Sequence, residues 1–238
     1  MGERRLGDVH FGRETFDAGD LPRHRHVQGY LTLVLCGGYV EAGDAGRFRV
    51  REGDVLVHGA YETHQDRFER RVAAVLNLPL AAGLPSAALL RVADPDAVVR
   101  LAETSVDAAA ALVSSSCTES KPVMDWPDLL AEALRRPQAT GIGDWARRHS
   151  LTPATVSRGF RQAYGTTPAR YRMEARTRLA LERIRGSSQP LVDLAFDLGF
   201  ADQAHMTRSL TQLTGMSASG WRRHVKRIQD AKPSARLV

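Results

Sequence analysis

The chain has 238 residues, 43% of them hydrophobic, with 33 Lys and Arg against 27 Asp and Glu and a formal net charge of +6. That length holds one large domain or two small ones, and the composition is that of an ordinary globular protein. No apolar run approaches the ~20 residues that span a bilayer, and the N-terminal MGERRLGDVHFG lacks the apolar core of a signal peptide, so a cytoplasmic protein without a membrane partner is expected.

Residues 1–80 read as short strands broken by turns. Leu31–Leu35 is a near-continuous apolar run that ends at Gly37-Gly38. Phe48, Val50, Val55 and Val57 keep strand spacing around the turn Arg51–Asp54, and Val72–Leu76 reads as a further buried strand. Many short strands with Gly-rich turns predict a small β-sandwich or barrel. His24-Arg25-His26 precedes the Leu31 strand, and His64 follows the Gly53-Asp54 strand. Residues i and i+2 of a strand share a face, so His24 and His26 can both aim inward. A third imidazole from a neighbouring strand, His64, would complete a site suited to Zn, Fe, Ni or Cu. His10 and His58 are further imidazoles without a spacing argument. Cys36 and Cys117 have no metal-type spacing and are expected as buried, reduced thiols.

This arrangement resembles a cupin, a double-sheet β-fold. His24-x-His26 is similar to the first cupin metal motif, and Gly53-Asp54 through His64 to the second. The glutamate of the first motif would fall on Tyr30 or Leu31, which leaves Tyr30 as a pocket residue and at most a weak ligand. The Pro-x-Gly of the second motif reads Gly59-Ala60-Tyr61. Three readings of the histidines follow. They hydrogen-bond around a cavity, or they hold a divalent ion, or they form a catalytic metal centre.

Residues 81–93 are rich in Ala and Leu. Asp94 with Pro95 is a helix start, the carboxylate as cap and Pro at the first helical position. One helix is predicted from Pro95 to about Ser114, with Val98, Leu101, Val106, Ala109 and Leu112 as its apolar stripe. It packs on the barrel, serves as a dimerisation helix, or does both. Ser114–Pro122 is a polar break, and Trp126–Arg136 a short helix.

From Ile142 the pattern changes. A helix over Gly143–His149 is followed by a turn at Ser150-Leu151. Thr152 with Pro153 then opens a helix that runs to Tyr164 and stops at Gly165. Thr167-Pro168 starts a longer helix to about Arg185. Pro190 opens a second unit: a short helix with Leu194, Ala195 and Leu198 on one face, a tight turn at Gly199, and a helix from Ala204 with Met206 and Leu210 inside. Asp202 is its N-cap and Gly215 its end. Two short helices joined by a Gly-containing turn are the signature of a helix-turn-helix. The plan occurs twice. Val156, Arg158, Phe160, Gly165, Tyr171 and Arg172 fall opposite Met206, Arg208, Leu210, Gly215, Trp221 and Arg222. Charge follows the repeat. Residues 141–230 carry 15 Lys and Arg against 7 Asp and Glu, and residues 1–140 carry 16 against 20. A basic half is what a polyanion-binding domain needs.

Residues 140–228 resemble the DNA-binding domain of AraC/XylS-type transcriptional regulators. The resemblance is carried by Ala195, Gly199-Phe200, Arg208, Gly215 and Trp221-Arg222, and in the first copy by Val156–Arg158, Phe160-Arg161, Gly165, Pro168 and Tyr171-Arg172. Leu210 stands where an aromatic is usual, Ser217-Ala218 where Thr-Pro is, and Trp221 where Tyr is. The second helix of each unit should lie in the major groove. Ala154, Ser157, Arg158 and Arg161 then face DNA from the first unit. Gln203, Ala204, Thr207, Arg208 and Thr211 face it from the second. Arg158 and Arg208 suit guanine O6/N7, Gln203 suits adenine, and Ala154, Ala204 and Thr207 suit the thymine methyl. Arg161, Arg222 and Arg223 suit phosphates, although Arg222 and Arg172, each following an aromatic, equally suit structural ion pairs. Two such helices on a rigid linker would enter successive major grooves about one helical turn, ~34 Å, apart.

The expected fold class is therefore α+β multidomain. Residues 1–80 form a cupin-like β-barrel that senses a small molecule or metal, and residues 81–137 a helical extension and linker. Residues 138–230 form an all-α domain with two helix-turn-helix motifs, and residues 231–238 a flexible tail. The expected function is sequence-specific transcriptional regulation without enzymatic activity. Expected partners are double-stranded operator DNA, a small-molecule effector, a second copy in a homodimer and, for an activator, RNA polymerase. The alternatives are a metal-dependent cupin enzyme fused to a DNA-binding domain, and an architectural DNA binder whose barrel only dimerises.

Overall fold

The computed structural model describes residues 4–5, 9–69, 72–84, 88–119, 124–136 and 141–231. The chain divides into two compact units, Met1–Glu132 with Ile142–Pro168, and Ala133–Gly141 with Ala169–Val238. The expected tail and the expected boundary at residue 137 fall almost entirely outside the described residues.

The first unit begins with strands β1 (Arg4–Arg5), β2 (Gly12–Phe16), β3 (Gly19–Arg25), β4 (Tyr30–Cys36), β5 (Gly38–Gly43) and β6 (Arg47–Arg51). Strands β7 (Asp54–His58), β8 (Thr63–Phe68), β9 (Ala73–Pro79) and β10 (Leu89–Val92) follow. Helices α1 (Pro95–Ala102) and α2 (Val106–Ser116) then lead into strand β11 (Cys117–Glu119). One sheet has the order β1-β3-β8-β5-β6 and the other β11-β10-β7-β4-β9-β2. All pairings are antiparallel except β1 with β3.

Alternation along the strands explains the layering. Val34, Leu56 and Val75 from one sheet meet Tyr39, Phe48, Val50 and Phe68 from the other in one core. The opposite face of β4, β7, β9 and β10 buries Leu31, Leu33, Val55, Leu78 and Leu90 under Val98, Ala109, Ala110 and Val113 of α1 and α2. A sheet covered on both faces must be apolar on both, which is why the Leu31 strand reads as a continuous run. Burying a Leu or Val side chain contributes ~1.5–3 kcal/mol.

Three expectations change. The helix predicted from Pro95 to about Ser114 is two helices. Asp94 caps α1 as expected, its Oδ1 accepting from Ala97 N at 2.8 Å. The chain turns at Glu103–Ser105, and Ser105 Oγ caps α2 by accepting from Ala108 N at 3.2 Å. Thr104-Ser105 offers the backbone a capping alternative to continued helix. The Ala/Leu-rich stretch and the polar break contain β10 and β11, which pair with each other and, through β10, with β7. Cys36 is exposed and Cys117 half-buried, so neither is the buried thiol expected, and both are free.

Helix α3 (Trp126–Arg135) has Trp126–Glu132 in the first unit. Within the first unit, α4 (Ile142–Arg148) and α5 (Pro153–Tyr164) are packed by Trp145, Val156, Phe160 and Tyr164, all buried. Thr152 caps α5 by accepting from Thr155 N at 3.1 Å, and Gly165 ends it at φ 64°. The second unit holds α6 (Pro168–Gly186, from Ala169 on), α7 (Leu191–Asp197), α8 (Gln203–Thr214) and α9 (Ala218–Ala231). Leu194, Ala195, Leu198, Met206, Leu210 and Trp221 are buried there. Asp202 Oδ1 caps α8 by accepting from His205 N at 2.6 Å, and Gly215 ends it at φ 80°. These caps and stops are those read from the sequence.

Candidate functional site

Between the two sheets lies a cavity of about 370 Å³. One part is apolar, lined by Phe16, Leu21, Phe68 and Val75. The other part collects four imidazoles, from His24, His26, His58 and His64, with Tyr30, Tyr39, Glu41 and Asp66. Strand alternation places them. On β8, His64, Asp66 and Phe68 share the inner face. On β3, a register shift between Leu21 and His24 lets both line the cavity although they are three residues apart. His26 lies just past the end of β3. Opposite His64 in the β5–β8 register stands Gly43. A Cβ at that position would come within 2.7 Å of His64 Cβ, so glycine is what lets β5 approach.

His24, His26 and His64 lie together, with candidate donor atoms all within 4.8 Å of one another. His24 and His64 are buried and His26 half-buried. His24 Nδ1 donates to the carbonyl of Pro22 at 3.0 Å, which leaves Nε2 as the ring's lone-pair nitrogen. Tyr30 OH lies 3.5 Å from His64 Nε2, and its ring stacks on His58 at 4.2 Å. His10 also lines the cavity.

Sequence reasoning missed Glu41 and Asp66 and had no argument for His58. Glu41, His58 and His64 form a second group whose candidate donors lie within 4.8 Å of one another. The signals were an acidic residue inside an apolar strand, Tyr39-Val40-Glu41, and the inward phase of Leu56-x-His58. Both need the strand pairing to become meaningful.

Burial dominates the electrostatics. It lowers His24 to about 4, with His26 and Arg23 adding to the effect against the Pro22 hydrogen bond. It lowers His58 to about 3, helped by His26 and His24, and takes His64 well below its ordinary value, helped by His58. The rings are therefore neutral, the form that ligates metals. Burial also raises Asp66 to about 8 and Glu41 well above the usual carboxylate range, with Asp66 beside Glu41 adding to it. Burial raises the Tyr30 phenol too, with Glu41 next in effect. A separate polar chain crosses the cavity wall: Thr32 Oγ1 donates to Asn77 Oδ1 at 2.9 Å, and Asn77 Nδ2 to Glu14 Oε2 at 3.0 Å.

The outer face of the same β3–β8 pair meets α5. Arg23, next to His24, pairs with Asp44 at 2.9 Å and donates to the carbonyl of Tyr164 at 3.4 Å. Gln65, next to His64, donates to the carbonyl of Ala163 at 3.4 Å. Tyr164 OH donates to Asp128 Oδ1 at 2.8 Å, and Asp128 also accepts from Arg47 Nε at 3.1 Å. The last turn of α5 is thus held by side chains from β3 and β8 and by α3.

On α5, Ala154, Ser157, Arg158 and Arg161 are exposed and line one concavity with Gln162. On α8, Gln203, Ala204, Arg208 and Thr211 are exposed and Thr207 is half-buried. On α9, Arg223 is exposed. Arg222 is half-buried, with Nε and Nη2 buried and without a hydrogen-bond partner among the described residues.

Residues 145–224 match the family model described as a helix-turn-helix domain. No curated protein matches the chain. Among solved structures, an AraC-type regulator from Chromobacterium violaceum aligns at 20% identity and TM-score 0.37, over 43% of this chain and 87% of its own. A DNA-binding transcriptional dual regulator from Escherichia coli K-12 aligns at 12% identity and TM-score 0.39, over 45% and 99%. A salicylate 1,2-dioxygenase mutant from Pseudoaminobacter salicylatoxidans aligns at 19% identity and TM-score 0.26, over 27% and 20%. At these low TM-scores none of the three likenesses bears on what this chain does.

Proposed function

We propose, from the match of residues 145–224 to a helix-turn-helix domain model, that the chain is an AraC-type transcriptional regulator that reads operator DNA and senses an effector in a cupin-like N-terminal domain. Pairs α4–α5 and α7–α8 are its two helix-turn-helix motifs, within a DNA-binding part that spans residues 138–230. Helices α5 and α8 enter major grooves by their exposed faces. Arg158 and Arg208 read guanine, Gln203 reads adenine, and Ala154, Ala204 and Thr207 meet thymine methyls, with Ser157 and Thr211 beside them. Arg161, Arg222 and Arg223 hold phosphates. The exposure of the α5 and α8 residues supports this reading, as does the excess of Lys and Arg over residues 141–230.

The sensing half rests on one observation. His24 and His64 line the cavity, while their neighbours Arg23 and Gln65 hold carbonyls at the end of α5. Adjacent residues of a strand point to opposite faces. Whatever moves the cavity side of β3 and β8 therefore moves the seat of a reading helix. By linkage, effector and DNA then change each other's affinity by the same factor. The cavity has the size of small-molecule sites, and His24, His26 and His64 suit a divalent transition ion, which when bound supplies a positive charge and an open coordination position. Residues 81–137 complete the sensor with β10 and the α1–α2 cover. A homodimer and, for an activator, contact with RNA polymerase belong to the same reading.

The test is in vitro selection of duplexes by the full chain, followed by titration of the selected site with and without zinc. Enrichment of one motif, weakened by Arg158→Ala and Arg208→Ala, is expected. No enrichment in dilute buffer would sink the proposal. The two ligand groups also permit a second reading, a cupin enzyme fused to a DNA-binding domain. It predicts turnover that His24→Ala abolishes while DNA binding survives.

A further inference from the structure

We infer that the metal in this cavity is held by Glu41, His58 and His64, a two-histidine, one-carboxylate set drawn from β5, β7 and β8. The inference rests on reading the cavity as an ion site, and it moves that site away from His24 and His26. The two groups share His64, so an ion on the β5–β7 side excludes one on the β3 side.

Geometry is the first argument. Glu41, His58 and His64 are all buried, and their candidate donors lie within 4.8 Å of one another. His58 Nε2 stands 3.7 Å from Glu41 Oε2. That separation is too long for a hydrogen bond, yet close to the ~3.4 Å between two donors bound tetrahedrally to one ion at ~2.0–2.1 Å. The His58 and His64 ring centroids are 4.8 Å apart. All three residues sit within paired strands, whereas His26 lies beyond the end of β3 and is half-buried.

Charge is the second argument. Two buried carboxyl groups, Glu41 and Asp66, face this cavity, and no Lys or Arg is among the described residues that line it. Buried carboxylates need a cation or a proton. A 2+ ion on Glu41 with Asp66 behind it brings the cluster to zero. The same ion on three neutral imidazoles would have no anionic ligand. Asp66 also supplies an outer layer: it stands opposite Glu41 in the β5–β8 register, and its Oδ2 stands 3.9 Å from His64 Nε2. Such partners orient metal-binding side chains and are part of working sites. The donor set suits Zn²⁺ as well as Fe²⁺.

The experiment loads the full chain with Zn²⁺ and, separately, Co²⁺ by equilibrium dialysis, and measures stoichiometry by elemental analysis. Glu41→Gln with His58→Asn is compared with His24→Asn with His26→Asn, each checked for native circular dichroism. Expected is one ion per chain in the wild type and in the His24/His26 double variant, and at least a tenfold loss of bound ion in the Glu41/His58 double variant. X-ray absorption of the wild-type zinc form counts imidazoles without relying on any variant; two are expected. An ion retained by the Glu41/His58 variant, or three imidazoles in the wild type, overturns the assignment and leaves the His24–His26–His64 site standing. No ion bound by the wild type removes both.

Discussion

Replacing Arg23 by Ala takes away the cation 2.9 Å from Asp44 Oδ1, in a pair whose side chains are only 8% and 1% exposed. Removing one partner of a buried pair costs about 3–5 kcal/mol, because the remaining charge stays desolvated. Here Asp44 Oδ2 still accepts from Thr63 N at 2.7 Å, which places the loss near the lower end, ~3 kcal/mol. The 3.4 Å contact from Arg23 to the carbonyl of Tyr164 is long and adds no more than about 1 kcal/mol. Adding Asp44→Asn removes the charge that Arg23 served, so the double variant should recover ~2 kcal/mol of the loss. Urea unfolding of the full chain, followed by the fluorescence of Trp126 and Trp145 with Trp221→Phe in all variants, gives the four corners of the cycle. An Arg23→Ala loss below ~1 kcal/mol, or a double variant no more stable than Arg23→Ala alone, would falsify the claim that Arg23 and Asp44 form a buried ion pair between β3 and the end of β5.

Stability of the metal-free protein should peak near pH 6.5. His24, His58 and His64 have folded values below their ordinary 6.5, so their contribution is present above 6.5 and lost as pH falls, toward about 4 for His24 and about 3 for His58. Glu41 and Asp66 are raised, so theirs is present at low pH and lost as pH rises, for Asp66 toward about 8, at most ~1.4 kcal/mol per pH unit for each group. Asp66→Asn should flatten the alkaline limb and steepen the acid one, because its slope extends from the ordinary carboxylate range to about 8; denaturant melts from pH 5 to 9 would show unchanged limbs if that is mistaken. Arg208→Ala should weaken the selected operator by about 1–3 kcal/mol and relax one base position, and an unchanged site logo in repeated selection removes Arg208 from the reading set. Asp202→Ala, which deletes the α8 cap, should cost about 1 kcal/mol of stability by thermal unfolding; no change would mean that the helix start is held by packing alone.

Much of the C-terminal part is legible without coordinates, because helix starts and stops are set within a few residues. Thr152 with Pro153, Asp202, Gly165 and Gly215 each act on backbone groups of the adjacent turn, and the inward residues Val156, Phe160, Met206 and Leu210 follow the helical repeat. For the histidines only the His24-x-His26 spacing is local: His26 lies past the end of β3, and His64 joins them through the β3–β8 pairing, where it stands opposite His24. What only tertiary structure decided depends on pairings between distant residues. Gly43 opposite His64 carries Glu41 into the cavity beside Asp66, and Tyr30 opposite His58 does the same for that ring. The register shift after Leu21 resets the phase of β3, and the cover of α1 and α2 requires the break at Ser105. Strand phase tells which residues share a face, but which faces meet is settled only when the sheets close over a common core.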